Sequence, residues 1–161
     1  MFQPQRILVP MDFSDEAMLA LDWAVMVAKQ VKGVTIFPTY VYSTMPDLVA
    51  IDVGRRHYRT VTRDWVEQRM DGVRVFLAET ARCEPLYATG NPAAEIVTFC
   101  ETKGIDLVVM TTHGREGLSH LLRGSVAEAI IRKTPCPVLV LHMNRRAVEP
   151  IHDAAMHREI P

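Results

Sequence analysis

Short apolar runs and stretches of helical period alternate along this chain. Residues 6–10, Arg-Ile-Leu-Val-Pro, form a β-branched run that reads as a buried strand. Similar runs lie at 34–42, 83–89, 105–110 and 137–143. Between them, apolar residues recur every three or four positions. Ala17, Leu21, Ala24, Val25 and Ala28 predict a helix to about Lys32. Trp65, Met70, Val73, Phe76, Leu77 and Ala81 predict one over 60–82, weakened by Gly72. Ile96, Val97 and Cys100 predict a third over 93–103, and Ala127, Ile130 and Ile131 a fourth over 126–133.

The punctuation agrees with this reading. Ser14 is a good N-cap, with Asp15 and Glu16 placed to complement the helix dipole. Asn91 caps the third helix with Pro92 at its first position. Gly33, Gly104 and the pair Thr134-Pro135 mark helix ends. Pro38 fits badly, because proline removes a ladder donor and favours an edge or a bulge. Residues 43–59 show no clean period and read as a long loop, with a helical turn near 48–53. Arg55, Arg56 and Arg59 make it basic, either as a solvated face or as a lid closing on phosphate. Residues 1–143 form the expected domain, and the polar residues 144–161 a mobile or partner-draped tail.

Strands that are apolar almost throughout are buried on both faces, which predicts a parallel, doubly wound α/β sheet. Ligands of such sheets bind beyond the carboxyl ends of the strands, where strand order reverses. Two strand ends here carry chemistry: Pro10-Met11-Asp12-Phe13-Ser14 and Met110-Thr111-Thr112-His113-Gly114. The second continues through Gly117 to Gly124-Ser125-Val126, where a helix begins. Strand, glycine turn and helix start together present backbone N–H groups to an anion.

Composition narrows the classes. The chain has 161 residues, 48% of them hydrophobic and 23% charged, enough for one domain with a sizeable core. A formal charge of −1 supplies no field for nucleic acid or anionic lipid, so neither nucleic acid nor membrane is expected as a partner. No apolar run is long enough to span a bilayer, and the first residues do not resemble a secretory signal. Cys83, Cys100 and Cys136 are dispersed and predict neither a metal cluster nor a disulfide framework, which suits a cytoplasmic location. His142 falls in the last strand and reads as packed or at a dimer face rather than as a metal ligand, and His152 and His157 have no partner at ligand spacing.

At this point the motifs resemble those of the universal stress protein family, within the adenine-nucleotide α-hydrolase-like superfamily. Its strand-end Val-Pro-x-Asp-x-Ser stands here as Val9-Pro10-Met11-Asp12-Phe13-Ser14. Its glycine motif stands as Thr111-x2-Gly114-x9-Gly124-Ser125. Gly90-Asn91-Pro92-Ala93, His113-Gly114-Arg115 and Pro135-Cys136-Pro137-Val138 extend the likeness over residues 5–143. The resemblance implies a five-stranded, Rossmann-like sheet with helices on both faces and a homodimer. It also implies ATP as ligand, with magnesium held mainly by the phosphates. Asp12 would lie near the ribose or the phosphate-bound metal, and Val41 beside the adenine. Gly114, Gly124, Ser125 and Val126 would cradle the phosphates, with Pro10, Met11, Ser14, Met110, Thr111 and His113 around them and Arg115 adding a charge-assisted contact. Thr111 replaces the first glycine of the motif. A β-branched residue does not take positive φ cheaply and holds the backbone farther from a ligand.

Three functions are therefore carried forward: an ATP-binding regulator whose nucleotide state alters its partners, a dimeric stress protein working through protein contacts alone, and a slow ATPase. The last lacks a P-loop lysine or an acid–base pair, so no catalytic residue is assigned. Asp12 also has a plain reading as a turn residue, the glycines as loop punctuation, and His113 as a backbone hydrogen-bond partner. The strand from Pro137 to Met143 is expected at a sheet edge, where pairing with a second copy would cover it.

Overall fold

The computed structural model describes residues 2–42, 48–52, 57–112 and 125–142. In chain order the elements are β1 (Arg6–Pro10), α1 (Asp15–Gln30), β2 (Thr35–Tyr42), β3 (Leu48–Asp52), β4 (His57–Thr60), α2 (Arg63–Leu77), β5 (Arg82–Cys83), β6 (Leu86–Thr89), α3 (Pro92–Thr102), β7 (Leu107–Thr112), α4 (Ser125–Lys133) and β8 (Val138–His142). Six of the strands form one parallel sheet in the order β5-β2-β1-β7-β8, with β6 also on β2.

The alternation of strand side chains divides the core into two. Ile7, Val9, Val34, Ile36, Leu107 and Val109 pack against α1 and α2. Leu8, Phe37, Val108 and Met110 pack against α3 and α4. The sheet is thus covered on both faces, as the apolar runs require. The helices start where their caps place them: Ser14 accepts from the Ala17 N–H, and Asn91 accepts from the Ala94 N–H, with Pro92 opening α3. After α3 the backbone reverses at Gly104, whose φ of +58° suits a residue without a Cβ.

Three expectations need correction. The third strand, expected as one piece over 83–89, is split into β5 and β6, both paired with β2. Pro38 explains the split. The carbonyls of Val34 and Ile36 accept from Arg82 and Glu84, so alternate residues of β2 face this neighbour, and Pro38 is next in that row. By register Pro38 lies opposite Pro85. Pro38 has no N–H to give this neighbour, so the ladder breaks there, while the Pro85 nitrogen is on the side away from β2. An interior strand therefore holds a proline, rather than the edge or bulge expected. Third, residues 48–52 of the expected helical turn form a strand: β3 and β4 pair antiparallel, with a register irregularity between Ala50 and Asp52. Short β-branched and aromatic runs on either side of Gly54 favour this pairing. Arg55, Arg56 and the tail 144–161 lie outside the described residues.

The entry to the central pair is held by one carboxylate. Asp106 accepts from the N–H groups of Gln5 at 2.9 Å and Arg6 at 3.1 Å, joining the starts of β1 and β7. The Arg6 guanidinium donates to the Lys103 carbonyl and lies 4.7 Å from the centre of the Phe37 ring.

Two truncations separate core from surface. Leu8 is 0% exposed in the central strand, so Leu8→Ala is expected to cost about 2–5 kcal/mol. Val75 on α2 is 78% exposed, and Val75→Ala is expected to change stability by less than about 0.5 kcal/mol. Denaturant unfolding of the two variants checks the contrast.

Candidate functional site

A crevice opens where the sheet reverses its winding. From β1 the chain crosses by α1 to β2 on one side, while β7 lies on the other side and leads to α4. The β1–β2 ladder runs to Pro10↔Thr39 and is prolonged by the Met11 N–H, which donates to the Thr39 carbonyl at 2.8 Å. The β1–β7 ladder ends earlier, at Leu8↔Val108. Beyond that point the carboxyl end of β1 stays with β2, and that of β7 stays with β8. The gap between them lies between the starts of α1 and α4, the position such folds use for ligands.

The turn after β1 is built around Phe13. Its φ is +59°, the one positive value among the described non-glycine residues. A bulky residue does not adopt that backbone without support. The support is aromatic: Phe13 stacks on Tyr40 at 5.6 Å and meets Trp65 edge-on at 5.4 Å. Tyr40 meets Tyr42 edge-on at 5.0 Å, and the Arg63 guanidinium lies 5.5 Å from the Tyr42 ring. Burial pushes the Tyr42 phenol up, with Arg63 opposing it. This cluster escaped the sequence reading. Its signal was present in Tyr40 and Tyr42, two residues apart on one face of a strand, but their partners come from α2 and from the turn.

With Phe13 held, its neighbours fall into place. Asp12 is exposed, and its Oδ1 accepts from both the N–H and the hydroxyl of Ser14. The Ser14 hydroxyl in turn accepts from the Ala17 N–H at 3.2 Å. Asp12 is thus part of the turn, which fixes its carboxylate beside the crevice. The Ser14 hydroxyl is engaged in the cap at the start of α1.

The remaining expected residues come from four elements. Pro10 and Met11 end β1, half-buried and buried respectively. Val41 is half-buried near the end of β2, opposite Ala88. Met110 is buried, and Thr111 is half-buried, paired with Leu141 of β8. Thr111 sits in extended strand, where a β-branched side chain is at home, so replacing the motif glycine costs no backbone strain there. Ser125 opens α4, followed by the exposed Val126. His113, Gly114, Arg115, Gly117 and Gly124 lie outside the described residues. The structure therefore sets the ends of β1, β2 and β7 and the start of α4 at one edge of the sheet.

An open depression on the outer side of α2 is lined by Thr62, Asp64, Trp65, Glu67, Gln68 and Asp71. Three carboxylates make it unsuited to a polyanion. Among the described residues no group of three His, Cys, Asp or Glu side chains could hold a metal ion, and no helix is long and apolar enough to cross a membrane.

Comparison with known proteins accords with this architecture. The profile of the universal stress protein family matches residues 4–142. The universal stress protein MJ0531 of Methanocaldococcus jannaschii is 31% identical over 139 residues, covering 85% of this chain and 81% of that protein. The solved structure of MJ0577, from the same organism, superposes with a TM-score of 0.70 at 25% identity, covering 89% of this chain and 99% of that one. A universal stress protein from Archaeoglobus fulgidus in complex with dAMP shares the fold, with a TM-score of 0.57 at 23% identity over 86% of this chain and 98% of that one.

The turn makes an unusual prediction. Truncating Phe13 removes the ring contacts in either case, but only glycine also relieves the positive φ. Phe13→Gly is expected to retain more stability than Phe13→Ala, by about 1 kcal/mol, against the usual order of these residues. Paired thermal or denaturant unfolding decides it, and the reverse order would mean that φ at this position relaxes.

Proposed function

Since this chain belongs to the universal stress protein family, we propose that it is an ATP-binding regulatory protein of the stress response, acting through nucleotide-dependent partner contacts. The observation that carries this reading is the early parting of β1 from β7. It supplies a gap bordered by the Asp12 turn and the start of α4. The adenine nucleotide described with the Archaeoglobus fulgidus relative is in keeping with a ligand of this class.

The chemistry of the gap suits a nucleotide carrying its own cation. A carboxylate at Asp12 repels a bare polyphosphate, and a divalent ion between them removes the repulsion. Magnesium would be held mainly by the phosphates, with Asp12 as the protein group facing it. Backbone N–H groups at the start of α4 and in the glycine stretch would meet the phosphate charge. Val41 would face the adenine. We read the protein as a binder rather than a catalyst. The fallback reading is a dimer that works through protein contacts without nucleotide; it is favoured by the extra bulk of Thr111 beside the gap.

The way out to partners is short. Among the described residues β8 is the outer strand of the sheet, and its Val138, Leu139, Val140 and Leu141 are only half-buried. An apolar edge of this kind is covered cheaply by a second copy through a two-fold axis. β7 alone separates the gap from that edge, with Thr111 paired to Leu141. A shift of the β7 end on nucleotide binding would thus reach the dimer contact across one ladder.

Calorimetric titration of ATP, ADP, AMP and cyclic AMP, each with and without magnesium, tests the ligand. Saturable binding of ATP is expected, weakened at least about tenfold by Gly124→Val, which sets a branched side chain where close backbone approach is needed. Asp12→Asn should flatten the difference between the runs with and without magnesium. An absence of heat with every nucleotide would leave the fallback reading. For assembly, sedimentation should give a dimer at micromolar concentration and a monomer for Leu141→Lys; a wild-type monomer would overturn the edge pairing.

A further inference from the structure

The core on the α3/α4 side of the sheet contains a pair of thiols that the nucleotide reading does not use. Cys100 lies in the last part of α3 and is 1% exposed. Cys136 lies in the turn between α4 and β8, half-buried, and packs against the same cluster. The two thiols are close enough to act on each other's ionisation, and both belong to the packing of this one cluster. They are 36 positions apart in the chain and meet only because α3 and α4 cover the same face of the sheet. The remaining thiol, Cys83, is on β5 and packs in the cluster on the opposite face, so the sheet separates it from the pair.

We infer that Cys100 and Cys136 form a reversible intramolecular disulfide that clamps the end of α3 to the foot of β8. The ring it closes contains β7, residues 113–124 and α4, the whole second half of the candidate site. It also anchors the chain directly before the edge strand. Oxidation would therefore limit how β7, α4 and β8 move relative to one another.

The order of the chemistry follows from the surroundings. Burial raises the Cys136 thiol and Asp106 adds to this, while the interaction with Cys100 opposes them; of the two thiols Cys136 is the one that reaches solvent. Burial pushes the Cys100 thiol up to about 12, helped by Cys136 and Glu101. Cys136 is thus the attacking thiolate. It attacks one sulfur of a low-molecular-weight disulfide, forms a mixed disulfide and expels one small thiolate. Cys100 then loses its proton, attacks the Cys136 sulfur and expels the second small thiolate. Two protons and two electrons leave the protein, and the small disulfide ends as two thiols. The raised Cys100 thiol makes the second step the slow one at neutral pH. The inference stands whether or not the gap binds nucleotide.

The test treats the reduced full chain with hydroxyethyl disulfide under native, mildly alkaline conditions. Free thiols are counted and linked peptides mapped by mass spectrometry. In the wild type the count is expected to fall from three to one, with Cys100 linked to Cys136 and both restored by dithiothreitol. Cys83→Ser should lose both of its remaining thiols. Cys100→Ser should stop at the mixed disulfide on Cys136. Because Cys100 is in the core, Cys136→Ser serves as the second variant and should form no internal link. Thermal unfolding of the oxidised wild type should shift upward. Retention of all three thiols, a stable mixed disulfide at Cys136 with Cys100 still reduced, linkage only between molecules, or an unchanged unfolding temperature would each overturn the clamp.

Discussion

The candidate site depends on an inequality between the two ladders of β1. This strand is buried on both faces and hydrogen-bonded on both sides at its start. Its bond to β2 persists past Pro10, while its bond to β7 stops at Leu8. Were both ladders equally long, the sheet would close over the gap and leave no room for a ligand. Were both short, the turn carrying Asp12 would have no fixed origin. Asp106 sets the other end of the pair by tying the start of β7 to Gln5 and Arg6. The strands are thus pinned where they begin and part where the chemistry lies.

Rigidity at the gap comes from aromatic packing rather than from regular structure. Phe13 occupies backbone space that its own side chain disfavours, and Tyr40 and Trp65 hold it there. That is the usual condition for a strained residue to persist, since its surroundings over-determine it. The consequence is local and useful. Asp12 and Ser14, on either side of the strained position, bond to each other, and the first turn of α1 is capped by the same hydroxyl. One turn therefore orients a carboxylate and starts a helix together.

On the far side of the gap, β7 belongs to two systems. Its start is paired with β1, and Val108 to Thr112 are paired with β8. Its Val108 and Met110 share a core with Cys100, Ala127 and Ile130. A change at the end of β7 is therefore felt at the outer strand and at α3 and α4, because a close-packed core transmits displacement rather than absorbing it.

Much of this architecture was legible in the residues taken in order. The caps at Ser14 and Asn91-Pro92 and the reversal at Gly104 rest on interactions between near neighbours, and each appears where the pattern puts it. The doubly wound arrangement follows as well, because strands that are apolar on both sides must be covered on both sides. Pro38 shows where such reading stops. Its place in an interior strand goes with an interruption of the neighbouring strand at the same level, between β5 and β6, 47 residues away. The pairing of β3 with β4, the rings around Phe13 and the meeting of Cys100 with Cys136 are of the same kind. Near-neighbour sterics and capping act over a few residues and leave their mark in the chain. Contacts between distant segments exist only once the sheet has set their distance, and tertiary structure alone decides them.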